Sequence, residues 1–343
     1  MKLEQVVLDT LESMVRTSSG VPAIELTGVS KSYGSHEALS QIDATIAQGE
    51  IFGLVGRNGA GKTTLMKLIL GLSQPSSGAI SINGASGDLQ LNRERRSIGY
   101  LVGQSYFGSM NAVENLKYFG KLKGVNSRDE VKRVLRLVGL EGVRTPLKGY
   151  SMGMKQRFGI ANALLGGPQL IILDEPINGL DPQGIAEMRD LFKYLNEQEG
   201  ITIVISSHVL SELAVTATSF GVIHDGRMVA QLTHSQLEHQ TKAQRLEIVT
   251  NDNRAAVALL RERFGVRPGL DDGTIVIDER ERSGAVSGPG AGRGRSAGVR
   301  PGLAPEQVAA VLVGNGFDVR ELHTRRQSLE DFYFSITGGE RNA

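Results

Sequence analysis

The sequence contains no cysteine. That excludes a disulfide framework, a cysteine-ligated zinc or iron–sulfur site and a thiol nucleophile. It carries no excess of either charge, with 38 Lys+Arg against 37 Asp+Glu and a formal net charge of +1. A chain-wide nucleic-acid-binding surface is therefore not expected, and no nucleic acid is counted among the partners. Long hydrophobic runs are missing too. Apolar runs such as LIIL at Leu170–Leu173 and IVI at Ile203–Ile205 have the length of buried strands, and no run approaches the ~18–20 apolar residues of a membrane span. Glu4, Asp9 and Glu12 stand where the apolar region of a secretory signal would lie,. The expectation is a chain that does not itself cross a bilayer.

What is present is organised in blocks. The 343 residues suggest one large domain and a smaller one, or two moderate ones, each able to bury a core without staples. Residues 1–22 read as an extension, with Leu3, Val6, Val7, Leu11, Met14 and Val15 at helical spacing,. Over residues 23–236, short apolar strands alternate with amphipathic helices, which is an α/β layered pattern,. Residues 103–157 interrupt it with helical patterns around ENLKYFGKL and VKRVLRLVGL, a helical subdomain inserted in the core. Residues 237–343 repeat a strand–helix theme (LEIVT, AAVALLRERF, TIVI, then PEQVAAVLVGNG and FDVREL), predicting a small ferredoxin-like α+β domain,. Within it, residues 282–303 are rich in Gly, Ser and Arg without apolar periodicity, and are expected to form a disordered insert,.

Two motifs carry chemistry. GRNGAGKTT supplies Gly56, Arg57, Asn58, Gly59, Ala60, Gly61, Lys62, Thr63 and Thr64. It fits the phosphate-loop pattern G-x-x-x-x-G-K-[ST], follows the apolar IFGLV and precedes the helical LMKLIL,. Glycines let backbone N–H groups close around phosphates, and the helix N-terminus adds a favourable dipole. Lys62 is expected to reach the β- and γ-phosphates and the Thr63 hydroxyl to bind Mg²⁺. In LIILDE, a buried strand ends in two carboxylates at the sheet edge where ligands bind,. Asp174 is the candidate Mg²⁺ partner and Glu175 the candidate to polarise the attacking water.

With these, the chain resembles the nucleotide-binding subunits of ATP-binding-cassette (ABC) transporters over about residues 24–235. YSMGMKQR, Tyr150–Arg157, stands where that family has LSGGQ and a basic stretch, although Met152 and Met154 replace a Gly and the Gln. Gln104 in YLVGQ, Leu180 and Asp181 in NGLDP, His208 in ISSH and Tyr33 in KSYG occupy the family's other motif positions. The resemblance implies a RecA-like α/β core with an antiparallel β subdomain and an inserted helical subdomain, followed here by the small α+β domain. It implies ATP and Mg²⁺ as ligands, with Tyr33 stacking on adenine and His208 at the γ-phosphate. Gln104 would contact Mg²⁺ and nucleotide. Two cassettes would pair head to tail, as a homodimer or with a related ATPase, so that Ser151 and Gly153 meet the γ-phosphate held by the partner, with Asp181 close by.

A membrane permease on a separate chain, contacted from the cytoplasmic face, completes the expected assembly. The SMGMKQR variant and the closing SLEDFYFSITG are similar to the bacitracin- and lantibiotic-type exporters. A cassette ATPase acting on ribosomes or DNA is the alternative. Those relatives carry two cassettes or a long coiled coil, whereas this sequence has one phosphate loop and no long heptad run. A purely ATP-sensing regulator is the third reading, against which Glu175 and His208 speak.

Overall fold

The computed structural model describes residues 20–103, 106–241, 244–271, 273–278, 303–326 and 329–337. The expected helix over 2–16, Gln104 and the insert at 282–303 lie outside the described residues, the last apart from Leu303. The chain divides into two compact units, Met1–His234 and Ser235–Ala343.

In the first unit, β1 (Ile24–Tyr33) and β2 (His36–Ile46) form a hairpin that pairs Tyr33 with His36 across Gly34 and Ser35. Their burial alternates along much of each strand, as expected where one sheet face is covered and the other open,. The all-apolar β3 (Ile51–Val55) is buried throughout and feeds α1 (Lys62–Ile69). β4 (Ser77–Ile82) then returns to β1, giving an antiparallel sheet of order β2-β1-β4. After α2 (Asp88–Arg96), β5 (Ile98–Leu101) enters a second sheet.

Among the described residues, three α-helices and a short 3-10 turn (Leu147–Gly149) separate β5 from the next strand. α3 (Ala112–Leu122) opens with a reciprocal capping box between Asn111 and Glu114,. α4 (Arg128–Leu137) is capped by Ser127, and α5 (Met152–Leu164) by Ser151, whose Oγ accepts the Met154 N–H at 3.3 Å. Asn115 is fully buried because its amide fills the loop before α3. It accepts from Phe107 N–H at 2.8 Å and donates to the Phe107, Met110 and Asn111 carbonyls.

β6 (Leu170–Leu173), α6 (Pro182–Glu197), β7 (Thr202–Ser207), α7 (Leu210–Ala214), β8 (Ser219–His224) and β9 (Arg227–Thr233) complete the unit. The six-stranded sheet has the order β5-β6-β7-β3-β8-β9. Its first five strands are parallel and β9 is antiparallel. β3, β6 and β7 are buried at every position, as strands covered on both faces must be. α1 lies between the two sheets. Its Leu65, Met66, Leu68 and Ile69 are at most 2% exposed and join one cluster with Leu39 and Ile42 of β2 and Phe52 and Leu54 of β3. Each such side chain contributes about 1.5–3 kcal/mol on burial, so the phosphate loop's helix is held from both sides.

The helix α8 (His234–Thr241) leads into the second unit. There β10 (Gln244–Thr250), α9 (Asn253–Phe264), β11 (Gly269–Asp271), β12 (Thr274–Asp278), α10 (Pro305–Gly314) and β13 (Val319–Arg326) follow one another, with α11 (Leu329–Thr337) last. The sheet has the order β11-β12-β10-β13, antiparallel at every pairing. Leu246, Ile248, Ile275 and Ile277 pack with Ala256, Leu260, Val308 and Leu312 into a separate core. The whole is the α/β cassette with its antiparallel sheet and inserted helices, plus a small α+β unit. Among the described residues, no helix is long and apolar enough to cross a membrane.

Candidate nucleotide-binding and hydrolysis site

The site is built where β3, β7 and β6 end side by side. The loop after β3 is threaded through a gap that admits no side chain at two positions. A Cβ on Gly56 would lie 2.5 Å from the Ile223 carbonyl oxygen, and one on Gly61, whose φ is +110°, would lie 2.6 Å from Leu39 Cδ2. Glycine there is a requirement of space and of backbone conformation. Tyr33, His36, Ala38, Asn58, Gly59, Gly61, Lys62, Thr63, Thr64 and Glu175 line a cleft of about 310 Å³ over this loop. Gly56, Arg57 and Ala60 form the remainder of the loop. The Lys62 ammonium donates to the Gly56 carbonyl at 2.6 Å and the Arg57 carbonyl at 3.2 Å.

The acids follow from strand pairing. Parallel register sets Leu173 opposite Ile205, and one residue further Asp174 meets Ser206. Asp174 accepts from Ser206 Oγ at 2.6 Å and from Thr63 Oγ1 at 2.7 Å. Glu175 sits at φ +49°, a left-handed conformation uncommon for a side chain of its size. Its N–H donates to Ser206 Oγ at 2.8 Å. Its carboxylate lies 3.3 Å from Lys62 Nζ and 2.9 Å from His208 Nδ1. Lys62, Thr63, Asp174, Glu175 and His208 thus stand together, although up to 146 positions of sequence separate them.

Two observations test whether ATP and Mg²⁺ suit these residues. Glu175 Oε1 is buried and accepts no hydrogen bond, since the Lys62 ammonium beside it makes an ion pair only. A buried carboxylate oxygen without a donor is costly unless a ligand or water supplies one. The second is the donor set. Thr63 and Asp174 offer hard oxygen atoms, and no group of three or more His, Cys, Asp or Glu among the described residues could cage a metal alone. Mg²⁺ is held in that manner, by one or two carboxylates together with substrate phosphates. The residues present fit both.

Tyr33 is about half exposed on the cleft wall, with Lys31 Nζ 4.9 Å from its ring centroid. Ser151, Gly153 and Asp181 are placed elsewhere, and none lines the cleft. Ser151 and Asp181 cap α5 and α6, and Asp181 Oδ1 accepts the Gly184 N–H at 3.0 Å. These two turns face each other. A Cβ on Gly153 would lie 3.5 Å from Leu180 Cδ2, and one on Gly179 would lie 3.7 Å from Met152 Cε. Met152, in the YSMGMKQR turn, therefore packs over Gly179 of NGLDP while remaining 47% exposed. Burial raises the phenol of the preceding Tyr150 above its ordinary value, so it stays neutral.

Sequence reading missed three residues. His36 and Ala38 enter the cleft because the β1–β2 hairpin folds back over the loop. Ser206, near the end of β7, is fully buried and bonded to both acids. Its signal in the sequence is the polar SS that follows the apolar IVI.

Comparison with known proteins agrees with the geometry. The family model described as ABC transporter matches residues 39–178. The chain is 36% identical over 321 residues to a bacitracin transport ATP-binding protein of Bacillus licheniformis, covering 92% of this chain and 97% of that protein. It is 37% identical over 218 residues to a lantibiotic transport ATP-binding protein of Streptococcus pyogenes, covering 63% of this chain and 93% of the other. Among solved structures it resembles a dimeric ATP-binding cassette in a post-hydrolysis state bound to ADP and Pi. That match has a TM-score of 0.55 and 26% identity, and covers 62% of this chain and 98% of the other. A phosphate loop joined to two acids and a histidine, in a sequence that aligns almost end to end with a transport ATP-binding protein, leads to one conclusion: this chain belongs to the ABC transporter family, as an ATP-binding subunit with ATPase activity.

Proposed function

We propose that the chain powers export of a peptide antibiotic, drug or lipid-like molecule through a separate membrane permease, bound from the cytoplasmic face as a dimer that sandwiches two ATP. The observation carrying this reading is the 97% coverage of the bacitracin transport protein, which extends the likeness through the small C-terminal unit as well as the cassette. The domain limits are 23–236 for the cassette, with its helical subdomain at about 103–157, and 237–343 for the C-terminal domain.

Lys62 leaves the Gly56 and Arg57 carbonyls to hold the β- and γ-phosphates, with the glycine-rich backbone and the α1 N-terminus beside it. Thr63 and Asp174 hold Mg²⁺, with Gln104 as a further ligand. When bound, the metal neutralises charge on the phosphate oxygens. With Lys62 and His208 turned to the γ-phosphate, the Glu175 carboxylate would take a proton from the attacking water, whose oxygen bonds to the γ-phosphorus as the bond to the ADP oxygen breaks. Tyr33 stacks on adenine. Ser151 and Gly153 present the α5 N-terminus to the nucleotide of the other cassette, with Asp181 nearby. ATP therefore joins the two copies, and hydrolysis lets them part.

The test is purification from native membranes with the full-length chain as bait, followed by ATPase assay of the complex. Recovery of one integral membrane chain whose substrate stimulates ATP hydrolysis is the expected result. Hydrolysis that is fully active but never associated with a membrane protein would overturn the transport role.

A further inference from the structure

We propose that Ser206 is a positioning residue for hydrolysis: one buried hydroxyl sets both the Mg²⁺-side carboxylate of Asp174 and the backbone of Glu175. Ser206 is 0% exposed, and a hydroxyl there has one proton to donate and oxygen lone pairs to accept with. The proton goes to Asp174 Oδ1 at 2.6 Å, and the oxygen receives the Glu175 N–H at 2.8 Å. The first bond holds the plane of Asp174 between β7 and α1, because its other oxygen accepts from Thr63 Oγ1 at 2.7 Å. The second satisfies the N–H of a residue held at φ +49°. Such a conformation persists only where its surroundings over-determine it.

From that backbone, the Glu175 side chain reaches Lys62 and His208. The Ser206 hydroxyl therefore fixes a side-chain bond of one acid and the backbone of the other. Without it, Asp174 would lose one of its two donors, and the Glu175 N–H would be buried without an acceptor. Ser207, the next residue, is used differently: its Oγ accepts the Val209 N–H at 3.0 Å and its carbonyl accepts the Gly56 N–H. Of the two serines, Ser206 alone touches the acids.

This inference rests on the Mg²⁺-dependent hydrolysis proposed above. The experiment compares the full chain with Ser206→Ala and Ser206→Thr by fluorescent-ATP binding in EDTA, by the Mg²⁺ concentration that half-saturates binding, and by kcat and KM for ATP. In EDTA, Ser206→Ala should bind nucleotide within about twofold of wild type, since the phosphate loop is untouched. Its half-saturating Mg²⁺ should rise about 10–100-fold and kcat fall by a similar factor with KM little changed, the usual effect of removing a residue that orients a metal ligand. Ser206→Thr, which keeps the hydroxyl, should restore both. If Ser206→Ala does not fold, Ser206→Cys offers a sulfur of similar shape but weak donor strength and should show the same pattern. Unchanged Mg²⁺ dependence and kcat in Ser206→Ala or, where that does not fold, in Ser206→Cys would overturn the proposal. Equal loss of affinity with and without Mg²⁺ would also overturn it, by making the hydroxyl merely structural. A wild-type chain whose nucleotide binding ignores Mg²⁺ would instead remove the hydrolysis reading itself.

Discussion

The cleft at the strand ends and the helical layer between β5 and β6 both contain paired acids and bases, and the pairs are made differently. In the helical layer, Glu130 uses both carboxylate oxygens. It takes Arg133 Nε and Nη2 at 2.8 and 2.9 Å, and the Gly166 N–H at 3.1 Å. Arg157 likewise joins α5 to α6 through Glu187 at 2.5 Å and to the Val138 carbonyl at 3.0 Å. These groups are filled, and they tie elements together. In the cleft, Glu175 keeps one oxygen without a donor, and Lys62 bonds to carbonyls that a phosphate can replace. A saturated pair is a strut, whereas an incompletely satisfied one is poised for a ligand. Substitutions in the cleft should therefore change nucleotide chemistry at constant stability, and those in the helical layer should do the reverse.

Lys62→Ala is the severest case. Removing a buried charge that holds phosphate should weaken ATP binding about 100-fold or more, measured by nucleotide titration, while the melting temperature stays close to wild type. Glu175→Gln keeps the shape and loses the base. Turnover should fall about 100-fold or more, and an ATP-bound dimer should accumulate on size-exclusion chromatography; wild-type turnover would end the water-polarising role. Ser151→Ala tests the boundary between the regions. It removes a cap worth about 1 kcal/mol and should weaken ATP-driven dimerisation far more than nucleotide affinity of the monomer, and equal losses would count against the sandwich.

Glu130→Gln should be the mildest. The hydrogen bonds from Arg133 hold the Glu130 carboxyl below its ordinary range. A carboxyl lowered on folding stabilises the protein above its unfolded value and ceases to do so as pH falls through the lowered one. The variant should melt a few degrees below wild type at neutral pH, with the gap closing in acid and ATP affinity unaltered throughout. A shift in ATP affinity there would blur the distinction between the two regions.

Much of the nucleotide-binding half was legible because its signals are local. Gly56–Thr64 is contiguous, lies between an apolar strand and a helix, and needs its glycines for space that neighbouring Leu39 and Ile223 deny to a Cβ. The LIIL run reads as a buried strand wherever it falls in a sheet. Ser206 was not legible. Its partners lie 31 and 32 positions away, and nothing in either segment says that β6 and β7 are neighbours. His36 is similar, since a hairpin residue enters a cleft only once the hairpin bends over the loop. Ser151 was readable as a helix cap, and the structure keeps it as one; its role towards a second nucleotide depends on another copy of the chain.

The amino-acid sequence by itself determined which groups are available and in what local frame: a phosphate loop at a helix start, two carboxylates at a strand end, a histidine after another strand, and capping residues before two helices. These follow from turn geometry, burial patterning and capping over a few residues. Only the tertiary structure decided that β7 lies between β6 and β3. That order brings Asp174, Glu175, Ser206, His208, Lys62 and Thr63 to one point, and it leaves the YSMGMKQR turn out of the cleft. The reason is physical: strand order and register are set by long-range hydrogen-bonded pairing and by which apolar faces bury one another, and neither is encoded within any one segment.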